Sequence, residues 1–122
     1  MKTSDNIEQR AFAECTSLAS ATVEGGIGEQ MFAGCTALKS VAIKGNASSI
    51  PAGMFNGCSA LKTLTLSNIK KITSIGANAF YGCASLTTFD LRSTRIASIG
   101  ASAFARSGIT SLEVPATITS PT

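Results

Sequence analysis

Four cysteines stand in this chain, each three residues after a phenylalanine: Phe12 and Cys15, Phe32 and Cys35, Phe55 and Cys58, Phe80 and Cys83. Thiols at such positions could ligate zinc, attack a carbonyl or close disulfides, and the spacing discriminates among these. Structural zinc ligands come as close pairs such as Cys-x-x-Cys, whereas successive cysteines here lie 20, 23 and 25 residues apart. A nucleophilic thiol needs an activating base. The chain has no histidine, which removes Ser-His and Cys-His pairs and every His-containing metal site. Each Cys also recurs in the same apolar context, where a thiol pKa rises. Disulfides Cys15–Cys35 and Cys58–Cys83 stay geometrically open if stacked Cα atoms approach within about 5–6 Å, although they would pinch a smooth column into pairs. Buried thiols acting as small hydrophobes fit the pattern best. Ser107, at the fifth equivalent position, fits a site that wants a small side chain.

The second group with chemical potential is Asp90, Arg92 and Glu113. Two carboxylates could hold Ca²⁺ or act as an acid and a base. Two oxygen donors are few for calcium, and a flat face excludes little water, so neither chemistry is expected. A contact with a protein partner is the better use of this cluster. Glu24-Gly25-Gly26-Ile27-Gly28 lacks the Gly-Lys-Ser/Thr ending of a phosphate loop and reads as a tight return.

Both groups are positioned by internal repetition. Phe-x-x-Cys-x-x-Leu occurs at Phe12, Phe32, Phe55 and Phe80, and a shortened copy, Phe104-Ala-Arg-Ser107-Gly-Ile109, follows. The phenylalanines are spaced 20, 23, 25 and 24 residues apart, a period that means a solenoid with one coil per repeat. Each repeat opens on an Ile five residues before the Phe: Ile7, Ile27, Ile50, Ile75 and Ile99. Gly28, Gly76 and Gly100 follow three of these and mark a bend; Pro51 takes that place in the third. A helical or 3₁₀ turn is expected through the Cys.

A strand follows each turn, in Leu18–Val23, Leu38–Ile43, Leu61–Leu66, Leu86–Leu91 and Ile109–Val114, where apolar and polar residues alternate. Strands separated by a whole coil pair in parallel. Their outward residues then form columns: Ser20, Ser40, Thr63, Thr88, Ser111; Thr22, Ala42, Thr65, Asp90, Glu113; and Glu24, Lys44, Ser67, Arg92, Pro115. Asp90 and Glu113 become neighbours whose repulsion Arg92 can offset. A return segment of variable length absorbs the spread of periods. In it, Ile72/Ile75 and Ile96/Ile99 are spaced for inward placement and a short second strand. The core is a set of Ile, Phe, Cys and Leu/Val columns that stacked neighbours bury together.

Composition agrees with this. Of 122 residues, 44% are hydrophobic and only 14% charged, which excludes a disordered segment. Net charge is +3 with scattered basic residues, one Tyr and no Trp; a nucleic-acid surface wants clustered Lys/Arg and aromatic platforms. The one basic doublet, Lys70-Lys71, reads as a solvated turn. No run of about 18 apolar residues is present to span a membrane, and the polar residues 1–10 are not a signal peptide.

The repeats resemble the BspA-like, or treponemal-type, leucine-rich repeats, whose phrase runs Ile-Gly-x-x-Ala-Phe-x-x-Cys-x-x-Leu-x-x-Ile-x-Ile-Pro. The similarity is closest at Ile75-Gly-Ala-Asn-Ala-Phe80-Tyr-Gly-Cys83-Ala-Ser-Leu86 and Ile99-Gly-Ala-Ser-Ala-Phe104, and Val114-Pro115 matches the strand exit. It covers residues 7–118. Departures are Glu8 where Gly is usual, Pro51 in the third repeat and Ser107 for Cys in the fifth. The resemblance implies surface or secreted proteins of bacteria and some protists, several linked to adhesion to host proteins or other cells. It brings no catalytic residue.

The expectation is one leucine-rich-repeat solenoid over residues 1–122, of about five coils with repeats near 7–26, 27–49, 50–74, 75–98 and 99–118. A parallel β-sheet should form one face, with turns or short 3₁₀ segments and short second strands on the other. The expected function is non-catalytic: protein–protein contact or cell-surface adhesion, extracellular, as part of a longer surface protein. The alternative is a structural spacer that presents another domain. The contact face is assigned to Asp90, Arg92, Glu113, Thr65, Thr88 and Ser111. Partners would be proteins of a host extracellular matrix or a bacterial surface, with no nucleic acid, no cofactor, no metal and no membrane span. Polar residues 1–6 and the two prolines of residues 115–122 would cap the ends; if they do not suffice, the chain self-associates end to end.

Overall fold

Alternation in the Ser20–Val23, Ser40–Ile43 and Thr63–Leu66 stretches makes each a strand with one buried side. In the computed structural model, which describes residues 2–3, 12–23, 27–45, 47–66, 71–87, 89, 91 and 94–109, the strands in chain order are β1 (Lys2–Thr3), β2 (Ser20–Val23), β3 (Ser40–Ile43), β4 (Ser49–Ile50), β5 (Thr63–Leu66), β6 (Ser74–Ile75) and β7 (Ser98–Ile99). A whole coil separates β2, β3 and β5, so they pair in parallel, and β1 adds to the β2 edge in the order β1-β2-β3-β5. The register puts Ser20 beside Ser40 and Thr63, Ala21 beside Val41 and Leu64, Thr22 beside Ala42 and Thr65, and Val23 beside Ile43 and Leu66. The first two expected columns are present residue for residue on these three strands.

The short second strands form a separate parallel sheet, β4-β6-β7, in which Ile50, Ile75 and Ile99 stack. These three residues, with Ile72 and Ile96, are buried. At the fourth repeat the first sheet departs from expectation: Phe89 and Leu91 carry no strand pairing. Phe89 holds the place of Ala21, Val41 and Leu64, and its larger ring turns edge-on against Phe80 (5.3 Å between centroids, 69°) and Phe104 (6.2 Å, 67°).

Between the sheets runs a stack of five phenylalanine rings. Phe12, Phe32, Phe55, Phe80 and Phe104 succeed one another at centroid distances of 5.7, 5.7, 5.3 and 5.2 Å, with planes within 15° of parallel. Such offset stacks add to the area each ring buries. Phe32, Phe55 and Phe80 are fully buried, whereas Phe12 and Phe104 at the two ends are half-exposed.

The turn edge, where turns or short 3₁₀ segments were expected, is a succession of turns. Turns closed by bonds such as Cys35 N–H to Phe32 O (3.1 Å) are interrupted by left-handed residues after each of the five stacked Phe and, among the described residues, before four of them. Two residues after the Phe stand Glu14, Gly34, Gly57, Gly82 and Arg106, with φ between 59° and 82°; two residues before it stand Gln30, Gly53, Asn78 and Ser102, with φ between 55° and 64°. Left-handed and right-handed residues alternate, which turns every second peptide along the solenoid axis. Three lanes of inter-coil hydrogen bonds result. Gln30, Gly53 and Asn78 donate to Ala52, Ala77 and Ala101; Phe12, Phe32, Phe55 and Phe80 to Met31, Met54, Ala79 and Ala103; Glu14, Gly34, Gly57 and Gly82 to Ala33, Asn56, Tyr81 and Ala105. Every donor lies in the earlier coil and every acceptor in the later one.

Gly76 and Gly100 serve a different purpose from the bend read in the sequence. A Cβ on Gly76 would lie 2.4 Å from Ala52 N, and one on Gly100 2.4 Å from Ala77 N. Glycine is required there because adjacent coils touch backbone to backbone.

Candidate binding face

The first sheet turns Ser20, Thr22, Ser40, Ala42, Thr63 and Thr65 away from the core, in two registered columns. Ser20, Thr63 and Thr65 are exposed; Thr22, Ser40 and Ala42 are half-buried by their neighbours. Strands about 4.8 Å apart and side chains that repeat every second residue make this a flat grid of hydroxyl groups. Of the residues assigned to the contact surface from sequence, Thr65 lies on this grid. Thr88, Asp90, Arg92, Ser111 and Glu113 lie outside the described residues, as do Glu24 and Ser67 of the third column; Lys44, from that column, is exposed.

Sequence reasoning passed over two further cations at the border of this face. Lys39 and Lys62 take the same place in successive repeats, directly after Leu38 and Leu61, and both are exposed. Their backbones are joined by Lys62 N–H to Lys39 O at 2.9 Å. Their equivalent repeat position was the available signal, but Ala19 and Thr87 at the same place in other repeats dilute it.

The cysteines stand on the other side of the core, as free thiols. Cys35, Cys58 and Cys83 are buried and Cys15 is half-buried. Each buried thiol donates across a coil boundary: Cys35 Sγ to Phe12 O at 3.1 Å, Cys58 Sγ to Phe32 O at 3.1 Å and Cys83 Sγ to Phe55 O at 3.2 Å. Each of these carbonyls also receives the N–H of the Cys in its own coil. The column therefore wants a small side chain that can donate a weak hydrogen bond. Ser107 departs from it, since its Oγ accepts Ile109 N–H at 3.3 Å.

Burial pushes the Cys83 thiol up to about 12, and raises Cys35 and Cys58 as well; in Cys58 the neighbouring thiols Cys83 and Cys35 add to the effect. These groups are poor nucleophiles and poor metal ligands at neutral pH. In the unfolded chain a thiol titrates near 8.5. Above that pH the unfolded state releases protons that the native state keeps, so native stability falls as pH rises from about 8.5 toward 12. Each buried thiol contributes a slope of up to about 1.4 kcal/mol per pH unit. Urea unfolding of Cys58→Ala should show a shallower alkaline decline than the unaltered chain, by roughly one proton; equal slopes would refute the assignment. Iodoacetamide should label native Cys15 ahead of Cys35, Cys58 and Cys83.

No helix among the described residues is long and apolar enough to cross a membrane. Among curated proteins none matches the chain. In solved structures the fold is similar to a leucine-rich repeat protein from Bacteroides ovatus (TM-score 0.65, 25% identity, covering 87% of this chain and 34% of that one). It is also similar to a leucine rich cell surface protein from Faecalibacterium prausnitzii (TM-score 0.50, 23% identity, covering 89% and 42%). The chain thus spans less than half the length of either protein. Its sequence matches the BspA type leucine-rich repeat region over residues 5–121, in six copies. With a matching repeat phrase, parallel strands in register and a buried Phe-Cys spine, the chain belongs to the BspA type leucine-rich repeat family.

Proposed function

We infer that the chain is a non-catalytic protein-binding module, of about five coils, displayed on a bacterial cell surface. The observation that carries this reading is the flat outward face. Five of its six described positions are hydroxylated, all held in register by parallel strands. A rigid extended face of this kind suits contact with another macromolecule, as repeat arrays use it. The surface assignment is supported by family membership and by the description of the Faecalibacterium protein as a cell surface protein. The contact surface comprises Thr65 together with Thr88, Asp90, Arg92, Ser111 and Glu113, and its partner is a protein of a host extracellular matrix or of another bacterial surface. Extracellular placement is part of the same reading.

Immobilised extracellular-matrix proteins and bacterial surface extracts should bind the folded chain saturably, and Asp90→Ala/Arg92→Ala/Glu113→Ala should weaken that binding at least tenfold. Truncating charged residues within a contact typically costs about 1–3 kcal/mol altogether. Binding unchanged in the triple variant would move the contact elsewhere on the solenoid. A well-folded chain that binds nothing would leave the spacer reading.

A further inference from the structure

The column at the entry of the first sheet holds Ala19, Lys39, Lys62 and Thr87, one per coil, all exposed. Backbone bonds fix its register: Lys39 N–H donates to Ala19 O at 2.8 Å and Lys62 N–H to Lys39 O at 2.9 Å. The two lysines therefore start from neighbouring strands, about 4.8 Å apart at the backbone. Like charges so placed repel each other. Alanine and threonine fill the same place in the coils on either side, so packing does not call for lysine here. Among the described residues no group pairs with either ammonium.

The far side of the face has a cation as well. Lys44 follows β3 directly and is exposed; five residues of extended chain separate it from Lys39, about 16 Å. The hydroxyl grid lies between them. The described carboxylates, Glu14 and Glu29, both stand on the turn edge, so the described part of the sheet face carries positive charge only. None of its outward residues is aromatic, which leaves a nucleic-acid base nothing to stack on. A peptide strand adds to a sheet at its edge rather than on its face. Serine and threonine hydroxyls both donate and accept, as sugar hydroxyls do, and an ammonium pairs with a sulfate.

We propose that this face binds a linear sulfated polysaccharide, with sulfates over Lys39 and Lys62 and the sugar chain crossing the hydroxyl grid toward Lys44. The proposal does not depend on the protein contact above, which uses a different partner and different charged residues. A second stacked pair of cations provides an internal control. Lys71 and Arg95 are exposed and stand directly before Ile72 and Ile96, with Arg95 N–H bonded to Ile72 O at 3.0 Å. They border strands of two residues, where the outward positions are the single column Ser49, Ser74 and Ser98.

Immobilised heparin is the probe, and the whole folded chain is the analyte. Saturable binding is expected. Lys39→Gln/Lys62→Gln should weaken it roughly tenfold and lower the slope of log affinity against log salt by about two, one for each cation lost. Lys71→Gln/Arg95→Gln removes the same net charge and should change affinity by less than about twofold. Thr63→Val/Thr65→Val keeps charge and strand-compatible shape but removes two hydroxyls, and should weaken binding several-fold. All six residues are exposed, and unchanged melting temperatures would verify that each variant folds. Failure to bind heparin at low salt would overturn the proposal. So would equal losses in the two charge variants, which would mean attraction by net charge alone, or full affinity in the valine variant. Polyglutamate bound as tightly as heparin would overturn it in favour of an acidic peptide.

Discussion

Replacing Phe80 with alanine should cost the fold about 3–5 kcal/mol, the range for truncating a buried aromatic ring. The ring is fully buried and stacks on Phe55 at 5.3 Å and on Phe104 at 5.2 Å, while Phe89 packs edge-on against it at 5.3 Å. The substitution therefore opens a void and removes three aromatic pairs, each contributing about 0.5–1.5 kcal/mol beyond buried area. Small domains have only about 5–15 kcal/mol of stability in total, so a large drop in the urea midpoint is expected. Phe12→Ala provides the contrast: that ring is half-exposed and stacks only on Phe32 among the described residues, and its loss should be roughly half as large. Equal losses at the two positions would contradict a columnar core.

Gly76→Ala is the second substitution with a large expected effect, although it adds a single methyl group. The new Cβ would lie 2.4 Å from Ala52 N, 2.7 Å from Ala52 Cα and 2.9 Å from the Pro51 carbonyl carbon. All three are backbone atoms, which cannot swing aside as the end of a side chain can. Relief requires the two coils to part locally, at the expense of the Gly76 N–H to Ile50 O bond (2.7 Å) and the pairing of Ile50 with Ile75. The loss should sit at or above the top of the ~1–3 kcal/mol usual for overpacking. Gly82→Ala separates this clash from simple backbone strain. At Gly82 φ is +75°, but the nearest atom to a Cβ is 3.7 Å away, so its cost is the roughly 1–2 kcal/mol of a left-handed alanine. Thermal melts in which Gly82→Ala proves the more damaging would overturn the close-approach account.

Much of this architecture was legible because a solenoid writes its packing into its period. The strand register of Ser20, Ser40 and Thr63 follows from aligning the phenylalanines, and the inward Ile50, Ile75 and Ile99 follow from their fixed offset to the same residue. The left-handed turn positions were harder to see. Glu14, Gln30, Asn78, Ser102 and Arg106 share a backbone angle but no side-chain chemistry, so no residue pattern announces them, even though Gly34, Gly57 and Gly82 repeat in plain view. Phe89 looked like an ordinary inward strand residue; its ring instead lies edge-on against Phe80 and Phe104, and the residue carries no strand pairing. The thiol column was legible as small and apolar, but its donation to the Phe carbonyl of the preceding coil was not, because that contact joins residues 23–28 positions apart. Of the candidate binding residues, Thr65 stands on the grid that the strand columns implied, whereas Asp90, Arg92 and Glu113 lie outside the described residues.

The directed lanes of the turn edge also decide how the molecule answers a pull. Their hydrogen bonds run along the solenoid axis, as do those between neighbouring strands. Tension applied at the two termini opens them one boundary after another instead of shearing many at once. Each coil touches only its neighbours, so yielding begins at the weaker end and advances coil by coil. A coil that lets go frees the contour of its 20 to 25 residues, about 80 Å at full extension. Pulled at its two ends, such a chain lengthens in steps of one coil.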